Sequence, residues 1–332
     1  MHRQEGERQL MERRKEMLCQ ALEHKARAAV SVSSMELAAG GNSRESWIAD
    51  VRIGSEALKL VLRCDPDGWI RPTEMRREIN GLRFAERAGV AAPRVIICSD
   101  ELDLGRPFVV VNYVAGTAIA RRIMRSAEFV DARRNFAREC AGILGRIHSS
   151  TSVALSWDHR DPITYAEEHR SEALYPSPTL EGAFAWLVRN RPPTPNAQAP
   201  VHGDFRLGNL IIASSGITAV LDWETCHLGD PDEDLGYLCA RVWRYGSQLP
   251  VGGLGKLEEL LQAYEEAAAR KVNPERLRWW MVYADTVWGM VCNHRRPARA
   301  ASDAMESGAM ARNVCRQEYN VLLELESEVR RG

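Results

Sequence analysis

Asp204, Asn209 and Asp222 are the residues of this 332-residue chain whose types and spacing could do chemistry. They lie in His202-Gly203-Asp204-Phe205-Arg206-Leu207-Gly208-Asn209 and in Val220-Leu221-Asp222-Trp223-Glu224, and the step from Asp to Asn is 209 − 204 = 5. Two carboxylates and an amide at this spacing suit metal-dependent phosphoryl transfer. A hydroxyl is a poor nucleophile and a polyphosphate is a crowded anion, so both need oriented charge. A carboxylate within hydrogen-bond reach of a hydroxyl orients it and accepts its proton, typically contributing ~10²- to 10⁴-fold. Asp204 is the candidate for that role. Mg²⁺ is a hard cation that takes oxygen ligands, and an amide oxygen plus a carboxylate suffices when phosphates complete the shell. Asn209 and Asp222 fit it. Each of these residues alone would read as a turn or cap former; the joint spacing carries the chemistry.

The surrounding elements must hold these groups. Leu210-Ile211-Ile212 and the run from Ile217 to Leu221 are β-favouring, and Ala213-Ser214-Ser215-Gly216 between them is turn-like, which predicts a hairpin bringing Asn209 near Asp222. Upstream, helix formers from Glu7 to Ala29 carry an apolar stripe of Leu10, Met11, Met17, Leu18, Ala21 and Leu22. Strand-like runs follow at Val30 to Leu37, Trp47 to Ile53 and Ala57 to Leu62, then a helix from Thr73 to Ala88, and two more strands within residues 89–97 and 107–111. Gly40-Gly41-Asn42-Ser43 separates the first two strands. A glycine pair lets backbone N–H groups approach phosphate oxygens, and it serves equally well in a plain hairpin turn. Beyond residue 130 the chain reads as helices over 131–148, 178–190, 232–245, 254–270, 274–293 and 302–328.

At the H-G-D-F-x-x-x-N and L-D-W-E segments, and at Leu228-Gly229-Asp230-Pro231-Asp232-Glu233-Asp234-Leu235, the chain resembles the aminoglycoside phosphotransferase and choline kinase-like family of small-molecule kinases. Leu144-Gly145-Arg146-Ile147-His148 resembles that family's short L-x-x-L-H helix end, and D-W-E is the form found in the kinase-like domains of some acyl-CoA dehydrogenases. The resemblance runs weakly from about residue 36 to about 325, with its specific motifs between 200 and 236. It implies an α+β, two-lobed protein-kinase-like fold, with an antiparallel sheet and a helix in the small lobe and a large, mainly helical lobe. The expected division is 1–112 for the nucleotide-binding lobe and 113–332 for the catalytic and substrate-binding lobe.

The resemblance also implies ATP and Mg²⁺ as cofactors and a hydroxyl of a small molecule as acceptor. The small lobe should supply a cation to the phosphates and a helix glutamate to hold it. The aligned position in Leu60-Val61-Leu62-Arg63 is Arg63, where most kinases place Lys; Arg keeps its charge and grips phosphate in a fork. Lys59, on the same strand face, competes with it. Glu78 is the expected partner. The hinge from Val111 to Val114 would contact adenine through its backbone. Asp234 is implied to be a structural acid bonding the backbone of the catalytic loop.

Composition narrows the remaining classes. A net charge of −1 and a pI near 6.7 give no case for nucleic-acid binding. No apolar run reaches the ~18 residues of a membrane span and the N-terminal stretch lacks an apolar leader, so a cytoplasmic protein without membrane attachment is expected. The eight cysteines are scattered and read as reduced, mostly buried thiols, with Cys226 the one close enough to D-W-E to be reactive instead. Zinc-protease, nucleophile-elbow and dinucleotide motifs are missing, and Gly255-Lys256 fails as a P-loop because Pro250 and Leu257 stand at two of its required positions. Asp230, Asp232 and Glu233 could attract a cationic acceptor or merely sit solvated at a helix start. Arg295, Arg296 and Arg299 would suit an acceptor bearing phosphate or carboxylate, such as an acyl-CoA thioester. A nucleotide-binding module without turnover is the reading from a different class. Oligomeric state is not legible.

Overall fold

The structure is a computed structural model that describes residues 2–38, 44–151, 157–193, 198–293 and 301–329. The Gly40-Gly41-Asn42-Ser43 turn and the Arg295, Arg296 and Arg299 cluster lie outside the described residues. The chain forms two compact units, residues 1–116 with 218–225, and residues 117–217 with 226–332.

Unit 1 is a five-stranded antiparallel sheet with a helix on each of two sides of the chain order. Helix α1 (His2–Ala26) precedes β1 (Val30–Leu37), β2 (Glu45–Ile53) and β3 (Glu56–Cys64); α2 (Pro72–Arg87) follows, then β4 (Val95–Cys98) and β5 (Phe108–Asn112), in sheet order β1-β2-β3-β5-β4. Period-two alternation sends Trp47, Ala49 and Val51 of β2, Leu60, Leu62 and Cys64 of β3, and Phe108 and Val110 of β5 into one core with Met17, Leu18, Ala21 and Leu22 of α1. The apolar stripe of the first helix is therefore the cover of one sheet face. Val61 and Arg63 alternate with these core residues on β3 and take the other face. Arg14, buried on α1, fixes the edge of this core by donating to Glu45 Oε2 at 2.7 Å and Asp67 Oδ1 at 2.7 Å.

Unit 2 is mainly helical: α3 (Ala120–Arg125), α4 (Val130–Ser149), α5 (Pro162–Ser171), α6 (Pro178–Arg189), α7 (Asp232–Cys239), α8 (Leu257–Ala268), α9 (Pro274–Cys292) and α10 (Ala301–Val329). Short strands β6 (Ala199–Val201) and β9 (His227–Gly229) pair antiparallel, Val201 opposite His227, and β6 runs directly into His202. The predicted hairpin is present as β7 (Leu210–Ala213) and β8 (Gly216–Val220). Along β8 the chain passes back to unit 1.

Two expectations are corrected. The helix expected over 232–245 ends at Cys239, Ala240 is extended, and a 3₁₀ turn covers Arg241–Arg244. Asp285 on α9 accepts the Arg241 and Val242 N–H groups at 3.1 and 2.9 Å, so a buried carboxylate starts a second helical turn and breaks the first. Helix α8 begins at Leu257 rather than 254, because Gly252 and Gly253 sit at φ +56° and +78°. Helices α3 and α5 carry too little apolar periodicity to have been read from sequence.

Candidate active site

In unit 2 the segment after β6 is held by Asp234, in the first turn of α7. Its Oδ2 accepts the His202 N–H at 2.8 Å and its Oδ1 accepts the Gly203 N–H at 2.9 Å. His148, the end of the L-G-R-I-H segment on α4, lies with Nε2 at 3.1 Å from Asp234 Oδ2 and Nδ1 at 2.7 Å from the Tyr264 hydroxyl. The carboxylate only accepts, so His148 donates to it from Nε2. Burial raises the cost of charge on Asp234, but these donors outweigh it and hold its pKa below the usual carboxylate value. The resemblance assigns Asp234 a structural role, and the bonds it makes are to loop backbone.

Asp204 follows within this clamped loop, and its N–H donates to His202 Nδ1 at 3.2 Å. Both of its oxygens are engaged: Oδ1 accepts from Arg206 Nε at 2.9 Å and Oδ2 from Asn209 Nδ2 at 2.6 Å. Asn209 Nδ2 also donates to the Asp204 carbonyl at 2.9 Å. Asn209, only 2% exposed, thus directs its amide nitrogen at Asp204 through both bonds. Arg206, which the sequence reading passed over, stacks its guanidinium 4.4 Å from the centre of the Trp243 ring and hydrogen-bonds Tyr245. Its signal was its place two residues after Asp204.

In unit 1, Arg63 on β3 bonds Glu78 of α2 through Nη1, and its Nη2 donates to Asp222 Oδ1 at 2.9 Å. Burial works against the Arg63 charge, yet Glu78 and Asp222 keep the guanidinium firmly protonated. Lys59 does not share this cluster: its ammonium is half-exposed, 3.8 Å from Asp50 Oδ1 and 5.1 Å from the Tyr113 ring centre. Asp222 adopts a left-handed backbone at φ +60°, a conformation that costs a non-glycine residue ~1 kcal/mol or more. The neighbour that holds it there is Trp223, fully buried, whose ring centre is 5.9 Å from that of Phe84. A Cβ on Gly81 of α2 would stand 2.4 Å from Trp223 Cβ, so glycine is what lets the two backbones approach. D-W-E is thereby pinned to the helix that carries Glu78.

Arg44, just before β2, joins the same group with a fully buried guanidinium. Its Nη1 donates to Glu78 Oε2 and to Glu224 Oε2, each at 2.6 Å, and its Nε to Asp65 Oδ1 at 3.1 Å. Burial, opposed by Arg44 and reinforced by Asp222 and Glu78, pushes the Glu224 carboxyl up to about 7. In the hinge, Val111 lies inside the sheet opposite Val61 and Val95, and Val114 lies past the end of β5. The Tyr113 N–H already donates to the Lys59 carbonyl at 3.0 Å.

The acids after β9 are neither solvated nor open. Asp230 takes Arg276 and the Trp280 indole N–H at 3.2 Å, Asp232 takes Arg270 at 2.6 Å, and Glu233 takes Arg160 and His227, the latter at 3.1 Å. All three are buried. Cys226 is buried too, as are Cys64, Cys98, Cys140, Cys239 and Cys292, while Cys19 is partly exposed and Cys315 exposed, and no disulfide links them among the described residues. No helix among the described residues is long and apolar enough to cross a membrane.

A five-stranded antiparallel sheet with its helices, a mainly helical second unit, and a carboxylate braced by an amide on the loop after β6 match the protein-kinase-like class of phosphotransferase folds. The chain belongs to the phosphotransferase enzyme family, whose sequence pattern it matches over residues 35–280. The fold is shared with a mutant of aminoglycoside 2′-phosphotransferase IIIa in complex with GDP, at TM-score 0.65 and 14% identity over 94% of this chain and 99% of that one. It is shared also with a thermostable mutant of aminoglycoside phosphotransferase APH(4)-Ia in ternary complex with AMP-PNP and hygromycin B, at TM-score 0.61 and 16% identity over 90% of this chain and 95% of that one. Acyl-CoA dehydrogenase family member 10 of Mus musculus is 32% identical over 195 residues, which are 54% of this chain and 18% of that protein. The chain thus matches less than a fifth of that relative's length.

Proposed function

We propose that the protein is an ATP- and Mg²⁺-dependent O-phosphotransferase acting on a hydroxyl of a small molecule. The observation that carries this reading is the Asp204–Asn209 pair. Asn209 uses both amide hydrogens on Asp204 and keeps its oxygen for a hard cation, which fits Mg²⁺. When bound, ATP supplies the phosphoryl group and Mg²⁺ offsets the charge on its oxygens. Asn209 and Asp222 are the residues to hold the ion, Arg63 held by Glu78 is the cation for the phosphates, and the hinge at Val111 to Val114 with the Gly40-Gly41-Asn42-Ser43 turn completes the nucleotide contacts. Asp204 orients the acceptor hydroxyl and takes its proton. Arg206 and Asn209 fix the carboxylate before the acceptor arrives, so little reorganisation accompanies the reaction.

For the acceptor, one observation favours an anionic molecule over a polycation. Asp230, Asp232 and Glu233 are committed to Arg276, Arg270 and Arg160, whereas Asp204 is met by Arg206, whose guanidinium lies on the Trp243 ring and hydrogen-bonds Tyr245. A hydroxyacyl-CoA, with its phosphates, suits a guanidinium and aromatic surface better than kanamycin-like amines do. The test is Mg²⁺-dependent ATP consumption across aminoglycosides, macrolides, choline, amino alcohols, sugars and hydroxyacyl-CoAs, by wild type and Asp204→Ala. Turnover of one acceptor, lost by at least ~10²-fold in Asp204→Ala, is expected. Turnover that survives this substitution refutes the mechanism, and ATP binding with silence across the panel favours a non-catalytic nucleotide-binding module.

A further inference from the structure

We infer that Arg44 is a positioning residue for the nucleotide phosphates, acting through Glu78 on Arg63. The inference rests on the nucleotide reading of unit 1 given above. Glu78 is fully buried, and its two oxygens are divided: Oε1 takes Arg63 and Oε2 takes Arg44. Carboxylate and guanidinium ordinarily meet through two parallel bonds. Here each arginine receives one oxygen.

The division matters for what remains of the Arg63 fork. Its Nη2 reaches Asp222 through one hydrogen, and its Nε, buried from solvent, has no hydrogen-bond partner among the described residues, so the remaining Nη hydrogens are the ones an anion would use. Were Glu78 free to turn, it would close on two nitrogens of Arg63 and swing the guanidinium away from Asp222. Arg44 prevents that turn because its own guanidinium cannot move. It is fully buried and held at once by Asp65 at 3.1 Å and Glu224 at 2.6 Å, with Glu74 at 3.5 Å from Nη2. Arg44 therefore stands behind Glu78 as a second counter-ion, limits it to a one-oxygen grip, and leaves Arg63 donors for an anion. A lysine at 44 would keep the charge but, as a point donor, could not span Asp65, Glu78 and Glu224 together.

A residue that only supports the fold and one that sets a phosphate ligand are separated by comparing ligands with and without phosphates. Calorimetric binding of ATP, ADP and adenosine to the full chain is measured for wild type, Arg44→Lys, Arg44→Met, Glu78→Gln and the Arg44→Met/Glu78→Gln double variant. The expected result is that Arg44→Lys and Arg44→Met weaken ATP and ADP by about tenfold and leave adenosine unchanged, and that the double variant binds ATP no worse than Glu78→Gln alone, the mark of residues acting in series. If removing a buried cation stops Arg44→Met from folding, Arg44→Lys carries the comparison, with thermal melting as the check. Equal losses for ATP and adenosine would overturn the inference, as would losses that multiply in the double variant. Wild type that binds neither ATP nor adenosine would overturn it through the nucleotide reading itself; wild type that binds ATP with Arg44→Lys unchanged would overturn the Arg44 role alone.

Discussion

Replacing Asp234 by alanine removes the one side chain that ties three buried donors together. The His202 and Gly203 N–H groups lose their acceptor at 2.8 and 2.9 Å, and His148 Nε2 loses its acceptor at 3.1 Å. Hydrogen bonds to a charged group contribute ~1.5–3 kcal/mol each, and a buried donor left unpaired costs ~1–3 kcal/mol. Allowing for a water that enters the space of the lost carboxyl, the three together come to about 4 kcal/mol. At ~2–4 °C per kcal/mol for a unit of this size, the melting transition should fall by about 10 °C. The assay is urea unfolding followed by tryptophan fluorescence, with phosphotransfer measured below the transition, where turnover should be lost because Asp204 sits in the loop that Asp234 holds. The pH dependence has a fixed sign. The folded pKa of Asp234 lies below its unfolded value, so its stabilisation is complete above the usual carboxylate range and fades as pH falls through the folded pKa. The gap between wild type and variant should therefore be constant from about pH 5 to 8. A variant within ~1 kcal/mol of wild type, at unchanged denaturant dependence, would refute the argument that this carboxylate is what pins the loop.

Two further expectations follow from backbone and burial. Asp222→Asn replaces a carboxylate at φ +60° with the side chain that best tolerates that backbone after glycine, so the melting temperature should hold or rise while Mg²⁺-dependent turnover disappears; a variant that keeps turnover would exclude Asp222 from metal binding. Burial, opposed by the Val242 N–H, pushes the Asp285 carboxyl up to about 7. A raised folded pKa means that the folded state holds the proton longer, so stability falls as pH rises from about 4 to about 7, and melting profiles of Asp285→Asn should be flatter than wild type across that window. Parallel profiles would show that Asp285 is charged throughout.

The parts of this molecule that were legible in its sequence are those where one period or one spacing has a single physical meaning. The strand-like runs at Trp47 to Ile53 and Ala57 to Leu62 and the apolar stripe between Leu10 and Leu22 foretold the strands and the first helix, whereas the packing of that stripe on one sheet face emerges only in the fold. The spacing from Asp204 to Asn209 marked both residues as chemical, but did not foretell that a 3₁₀ turn would bring the Asn209 amide back onto the Asp204 carboxylate. What stayed hidden depends on contacts far apart in the chain. Arg44 looks like a loop residue until Glu224, 224 − 44 = 180 positions later, is found beside it. Asp230, Asp232 and Glu233 read as a charged turn because nothing local reveals that Arg276, Arg270 and Arg160 will cover them. The break after Cys239 needed Asp285, which arrives from another helix.

The return of residues 218–225 to unit 1 has a consequence for how the chain is made. Trp223, which packs on α2, is made 223 − 116 = 107 residues after the first stretch of that unit ends. At ~5–20 residues per second, synthesis leaves the Phe84 and Gly81 face of α2 uncovered for about 5–20 s. During that interval Arg63, Arg44 and Glu78 have been made, and Asp222 and Glu224 have not. The order of translation thus makes the cationic half of the cluster first and supplies the segment that bears Asp222 last.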